Sequence, residues 1–297
     1  MDLKIQEKIE LAPYTSWLVG GLADYFCLPS SVEEVRVALE YSKKNKLPIT
    51  ILGGGSNVLI SDRGVAGLTI CLKKLSGIGK SQEVSSRWVI ETLAGTSKTE
   101  LLKIFLKQKL APAIFLAGIP GDVAGGVIMN AGVGEKIQPR EFVEITDWIE
   151  VMRLDGNIER IMADQLHWDY RHCEKWEPGI IVNVGLSWEN SPSDSILVQA
   201  KAANQLRLTK QPLELPSCGS VFVNPDGGKA AMLIDSCGLK GYTIGKAQVS
   251  PKHANFIVNL GGAKSAEIWQ LIQYVQKTVK EKANFDLKTE VIKLGRW

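Results

Sequence analysis

Cysteine is scarce in this chain and poorly placed for chemistry: five occur in 297 residues, at Cys27, Cys71, Cys173, Cys218 and Cys237. The number is odd and no two are spaced Cys-x-x-Cys, which argues against a disulfide scaffold or a zinc knuckle and fits a reducing cytosol. Histidine is scarcer still, with only His167, His172 and His253, and their spacing suits no metal, so no protein-bound metal is expected. Long apolar runs are missing. The longest weakly charged stretch, residues 110–134, is broken by Pro112, Pro120, several glycines and Asp122, and does not read as a membrane span. The opening MDLKIQEKIE is charged and lacks the apolar core of a signal peptide. No polybasic run and no basic-aromatic stripe is present to hold nucleic acid. Gly-Lys-Ser/Thr is absent, which excludes a Walker A loop, and no GxGxxG stands between a strand and a helix. These absences leave a soluble, cytoplasmic protein.

What remains is ordinary globular composition, 45% hydrophobic and 23% charged, with a net charge of +3. That charge is too mild to argue for nucleic acid but suits anionic small ligands. The length suggests two domains, or one large domain with a smaller companion.

Strand and helix signals alternate from the start. Residues 23–28 read as a strand, and Ser31 with Glu34 reads as a capping box opening a helix to about Asn45. Residues 48–52 read as a buried strand running into Gly53-Gly54-Gly55-Ser56-Asn57. Residues 58–61, 67–72 and 88–93 read as further strands, and a helix starts near Ser97. Residues 117–134 form a second Gly-rich segment. A hairpin is expected over 148–161 about Asp155-Gly156, and a strand over 180–188. The polar stretch 189–194 reads as a domain boundary. Beyond it, residues 220–223 and 254–259 read as strands and 229–237 as a helix stopped by Gly238. The last helix begins at Ser265, with a core face of Ile268, Leu271, Ile272, Val275 and Val279. The class is α+β with mixed sheets.

Glycine lets successive backbone N–H groups turn toward one point and lets a ligand approach without a Cβ clash. A strand ending in GGGSN therefore suits a phosphate or pyrophosphate, though a tight turn between two strands is the plain alternative. A second Gly-rich segment changes the balance, because two such segments can hold one extended dinucleotide from two sides.

Leu52-Gly-Gly-Gly-Ser-Asn-Val-Leu-Ile-Ser61 and Leu116-Ala-Gly-Ile-Pro-Gly-Asp-Val-Ala-Gly-Gly126, continuing to Asn130-Ala-Gly132, resemble the FAD-binding segments of the UDP-N-acetylenolpyruvoylglucosamine reductase family. Trp17-Leu-Val-Gly-Gly-Leu-Ala-Asp24 resembles the segment that opens that domain. The resemblance implies a vanillyl-alcohol-oxidase-type (PCMH-type) FAD-binding domain over residues 1–190, with lobes of about 1–73 and 74–190. A smaller α+β substrate-binding domain follows over 191–297, its last strand returning to the active site. FAD contacts are implied at Gly53, Gly54, Gly55, Ser56, Asn57, Gly118, Pro120, Gly121, Gly125, Gly126, Asn130, Ala131 and Gly132. No histidine precedes His167, so the FAD is expected to be non-covalent.

The activity implied is reduction of UDP-N-acetylglucosamine enolpyruvate to UDP-N-acetylmuramate, with NADPH as co-substrate, in peptidoglycan precursor synthesis. Such a reaction needs stabilisation of negative charge beside the substrate carboxylate and a positioned acid for the neighbouring carbon. Tyr170-Arg171-His172-Cys173 resembles the family's Tyr-Arg-x-Ser segment and gives Arg171 the carboxylate; Cys173 stands where serine is usual. Pro216-Ser-Cys-Gly-Ser-Val-Phe-Val-Asn-Pro225 resembles the proton-donor segment and gives Ser220 that role. Lys288-Thr-Glu-Val-Ile-Lys-Leu-Gly295 resembles the segment with the catalytic glutamate, Glu290; Ile292 departs from the arginine often found two positions on. Tyr170, Lys210, Asn224 and Gln248 are the implied substrate contacts, with Arg207, Gln211 and Lys246 nearby in sequence. Without room for a tyrosine-bearing insertion after Arg171, the chain resembles the shorter class of the family. The rivals are another flavoenzyme of the same fold and a non-catalytic FAD-binding module. Nothing in the residues implies an oligomer.

Overall fold

The computed structural model describes residues 3–134 and 137–297. The chain forms two compact units that interleave in sequence. Among the described residues, one comprises residues 3–6 with Phe26–Gly54 and Leu68–Leu206; the other comprises Glu7–Tyr25, Gly55–Gly67 and Arg207–Trp297.

In the first unit, helix Val32–Asn45 is capped by Ser31, whose hydroxyl accepts the Glu34 N–H at 3.2 Å. The reciprocal bond of the expected capping box goes to Ser30 instead: the Glu34 carboxylate accepts the Ser30 N–H. Strand Ile49–Leu52 runs parallel to the second half of Val65–Cys71, with Leu52 opposite Cys71. A five-stranded antiparallel sheet follows, in the order Ile78–Val84, Arg87–Leu93, Ile180–Glu189, Thr146–Met152, Ile158–Met162. Its middle strand buries Ile180, Ile181, Val182, Val184 and Leu186, the continuous apolar run of a strand covered on both faces. Gly156, with φ +88°, makes the tight turn of the expected hairpin.

Helix Lys98–Lys107 opens on a full Ser97–Glu100 capping box and buries Leu101 and Phe105. The second Gly-rich segment is not all loop. Asp122 caps a short helix, Val123–Ile128, which a sequence of small residues had concealed. Helices Pro112–Leu116 and Ser195–Lys210 and strand Ile78–Val84 were likewise not expected.

Gly126 on the short helix meets Phe142: a Cβ there would lie 2.5 Å from the ring. Phe142 is fully buried and edge-on to Phe115 at 5.9 Å between centroids. Gly126→Ala is therefore expected to destabilise the protein by about 1–3 kcal/mol through overpacking. A urea denaturation series should find it, and adding Phe142→Leu should recover part of the loss.

The second unit has a core of Trp17, Leu59, Val221, Phe222, Ile234, Val249 and Ile257 packed with the last helix, Ser265–Ala283. That helix buries Ile268, Leu271, Ile272, Val275 and Val279, the face its period predicts. Asp62 holds its start by accepting the N–H groups of Ser265 and Ala266, both at 2.9 Å. Helix Ala230–Ser236 ends at Gly238, with φ +75°. Strand Ile292–Leu294 pairs parallel with Val58–Ile60. Residues 220–223 make a single bridge, Phe222 to Thr289, in place of the expected regular strand.

His253 is half-buried in this unit; its Nδ1 is buried without a partner among the described residues, and its ring stands edge-on to Phe256. Burial, with Lys240 adding to it, holds its pKa below 6.5. The folded state thus refuses a proton that the unfolded chain accepts. Stability is present above pH 6.5 and is lost as pH falls from there through the folded-state pKa. Urea midpoints should drop on acidification across that window, and His253→Phe should flatten the drop.

Candidate active site

In the first unit the two Gly-rich segments close on each other. A Cβ on Gly54 would lie 2.9 Å from the Gly121 Cα, and one on Gly53 would lie 2.4 Å from the Asp122 carboxylate. Asp122, only 4% exposed, accepts the N–H of Gly54 on one oxygen and the N–H of Gly125, at 2.6 Å, on the other. The Gly54 amide is thus given to a side chain within the Gly-rich segments. Lys98 lies alongside: its N–H donates to the Gly121 carbonyl at 3.0 Å, and its side chain is buried with the ammonium 5.3 Å from the Phe142 ring centre. Burial raises the Asp122 pKa, while its two backbone donors and Lys98 oppose the rise. Burial likewise pulls Lys98 down to about 8 against the attraction of Asp122. Neither residue was a candidate from sequence; an aspartate inside a Gly-rich run was the one available signal.

The end of the second Gly-rich segment also engages the Arg171 side chain. Its guanidinium donates to the carbonyls of Asn130 (3.2 Å) and Gly132 (3.0 Å) and to Glu141 (3.3 Å), and lies over the Tyr170 ring. Arg171 and Asn130 both have positive φ, +59° and +36°, the strained backbone that collects at functional sites. Asn130 is buried: its amide donates to Glu141 and to the Asp169 carbonyl, and its oxygen accepts the Val143 N–H. The Ala131 N–H donates to the Gly126 carbonyl, so the segment is tied through its length. Gly118 and Pro120 are exposed. Burial pushes the Cys173 thiol up to about 12, so Cys173 fills space without serving as a nucleophile. Glu141 was the carboxylate that sequence reasoning missed.

The second unit holds the other candidates. Gly55, with φ +69°, packs so closely on Tyr14 that a Cβ would lie 1.9 Å from its carbonyl oxygen. The N–H groups of Gly55 and Ser56 have no partner among the described residues. Asn57 donates its side-chain amide to the Glu290 carbonyl at 2.9 Å. The Glu290 N–H donates to the Val221 carbonyl and the Val223 N–H to the Lys288 carbonyl, so the Ser220 and Glu290 segments lie side by side. Asn255 stiffens the first of them: its oxygen accepts the Phe222 N–H and its amide donates to the Phe222 carbonyl. Ser220 and Glu290 are both half-buried. Cys218 is buried, and burial together with the Glu290 charge drives its thiol pKa well up. Asn224 uses its oxygen on the Ala230 N–H at the start of a helix, Gln248 donates to the Gly241 carbonyl, and Lys210 is exposed. Among the described residues no group of three His, Cys, Asp or Glu is placed to hold a metal.

A model described as the UDP-N-acetylenolpyruvoylglucosamine reductase C-terminal domain matches residues 211–294, and one described as an FAD binding domain matches residues 23–162. UDP-N-acetylenolpyruvoylglucosamine reductase of Synechococcus sp. (strain RCC307) is 37% identical over 99% of this chain and 95% of its own length. The chain belongs to the UDP-N-acetylenolpyruvoylglucosamine reductase family. The reductase of Prochlorococcus marinus (strain MIT 9313) is 39% identical over 99% of this chain and 94% of its own. The solved structure of UDP-N-acetylenolpyruvylglucosamine reductase from Thermus caldophilus superposes with a TM-score of 0.80, at 30% identity, covering 99% of this chain and all of that one. The family supplies an oxidoreductase with an FAD-binding domain of mixed α and β structure. The residues present fit that cofactor: the unpartnered Gly55 and Ser56 N–H groups are donors of the kind a diphosphate takes. No helix among the described residues is long and apolar enough to cross a membrane.

Proposed function

We propose that this chain reduces UDP-N-acetylglucosamine enolpyruvate to UDP-N-acetylmuramate with NADPH as reductant, in the cytoplasm, for peptidoglycan precursor synthesis. The observation that carries the reading is end-to-end similarity to reductases of that name, at 37–39% identity over 99% of the chain. FAD, held non-covalently, supplies the two-electron redox chemistry. Its proposed contacts are Gly53, Gly54, Gly55, Ser56, Asn57, Gly118, Pro120, Gly121, Gly125, Gly126, Asn130, Ala131 and Gly132.

Arg171 binds the substrate carboxylate and stabilises the negative charge that develops on it. A guanidinium suits the role because it stays charged and offers several donors in a fixed plane. Ser220 delivers a proton to the neighbouring carbon. A serine is a weak acid, but a carbanion-like acceptor is a strong base, and nearby donors stabilise the alkoxide left behind. Glu290 polarises the intermediate or relays the proton, and the Val221 carbonyl that accepts its N–H fixes its register beside Ser220. Tyr170, Lys210, Asn224 and Gln248 contact the sugar nucleotide.

The test is an absorption spectrum of the purified protein, repeated after NADPH and again after the enolpyruvyl sugar nucleotide under anaerobic conditions. The flavin bands should be present, bleach with NADPH, and return with the sugar nucleotide. A yellow protein inert to NADPH would make the chain a non-catalytic flavin module. Oxygen consumption with simple sugars and no NADPH turnover would make it an oxidase of the same fold.

A further inference from the structure

The glycine-rich segments of the first unit contain a feature that an anion-binding loop should avoid: a buried carboxylate. Asp122 is 4% exposed and lies between the two segments, with Gly54 donating to one oxygen and Gly125 to the other. Its bond to Gly125 is a helix cap, which serine would supply equally well. Its bond to Gly54 is a different matter. It joins positions 68 residues apart and sets how strand Ile49–Leu52 delivers its loop against the second segment. An unneutralised negative charge here would repel the diphosphate of the cofactor and resist burial.

The neighbouring backbone answers this. Residues 97 and 122 form a β-bridge, and the Lys98 N–H donates to the Gly121 carbonyl. This plants a lysine, itself only 4% exposed, at the first turn of helix Lys98–Lys107 beside the aspartate. Cations are unfavourable at a helix start and unfavourable when buried, so Lys98 stands against two ordinary preferences. The two charges are not in direct ion-pair contact, yet each shifts the other toward its charged form.

We propose that Asp122 is the clasp that fixes the two FAD-binding segments against each other, and that Lys98 is the buried cation that allows a carboxylate to stand there. Both are positioning residues acting through the loops, and the inference rests on the FAD-binding reading. Removing Lys98 alone strands the carboxylate; removing both charges leaves only a missing clasp. The two substitutions are therefore non-additive in a defined direction.

The experiment is titration of FAD into deflavinated protein, followed by flavin fluorescence and by the visible circular dichroism of the bound flavin. The parent, Asp122→Ser, Lys98→Met and the double variant are compared. Serine retains the cap to Gly125 and drops the bond to Gly54. Asp122→Ser is expected to weaken FAD about 10-fold, the effect of one lost hydrogen bond to an ionised group, and to alter the flavin dichroism. Lys98→Met is expected to weaken it further, and the double variant to recover to the level of Asp122→Ser. Affinity and dichroism of Asp122→Ser equal to the parent's overturn the clasp, and losses that merely add in the double variant overturn the role of Lys98. If Lys98→Met does not fold, a folded double variant with the affinity of Asp122→Ser supports the pair, and an unfolded one overturns it. Failure of the parent to bind FAD would instead sink the flavin reading itself.

Discussion

Ser220→Ala should separate the two half-reactions. NADPH should bleach the flavin of this variant at the parental rate, because nothing in that step calls on the hydroxyl. Return of the flavin absorbance on adding the enolpyruvyl sugar nucleotide should slow by about 10²–10⁴-fold, the range for loss of a positioned acid. The variant should fold. Ser220 is half-buried, and the bonds that hold its segment run through the backbones of Val221, Phe222 and Val223 and through Asn255, none of which the substitution touches. Single-turnover stopped flow at the flavin bands reads both steps in one sample. An unchanged second step would remove Ser220 from the chemistry while leaving the flavin assignment standing.

The parts of this molecule that were legible in its sequence are those fixed by local pattern. The last helix showed its face because Ile268, Leu271, Ile272, Val275 and Val279 recur with the helical period, and all five are buried. The GGGSN loop was legible because it breaks an apolar strand with residues that only a turn or a ligand explains. Helix Ser195–Lys210 was not, because its apolar residues are spread around it: Leu197, Val198, Leu206 and Leu208 are all exposed. Helix Val123–Ile128 hid inside a Gly-rich run, where low helix propensity argued for loop and the Asp122 cap decided otherwise.

The site divided along the same line. Resemblance named Arg171, Ser220 and Glu290, but what holds each of them is non-local. Asn57 and Val221 fix the Glu290 backbone, and the carbonyls of Asn130 and Gly132 fix the Arg171 side chain. Lys98 and Glu141 were invisible for that reason, and Asp122 showed only as an aspartate inside a Gly-rich run. A charged residue in sequence reads as solvated surface until its distant partners are known.

Arg171 is where that distinction has its largest consequence after Ser220. Its guanidinium is already engaged by two loop carbonyls and Glu141, so it is held in place before any substrate arrives. Such preorganisation gives charge stabilisation its strength, since no reorganisation remains for the reacting system to drive. Arg171→Met should therefore lower kcat about 10²–10³-fold with the enolpyruvyl substrate and raise KM, while NADPH still bleaches the flavin. Arg171→Lys should recover little of the loss. A lysine keeps the charge but cannot reach the Asn130 and Gly132 carbonyls and Glu141 with donors of one rigid plane. The left-handed backbone at this position, φ +59°, is equally uncomfortable for arginine, lysine and methionine, so backbone strain does not distinguish the variants. Steady-state kinetics with saturating NADPH, alongside the flavin absorbance of each variant, make the comparison. Turnover of Arg171→Met within threefold of the parent would leave the arginine as no more than a brace for the glycine-rich segment.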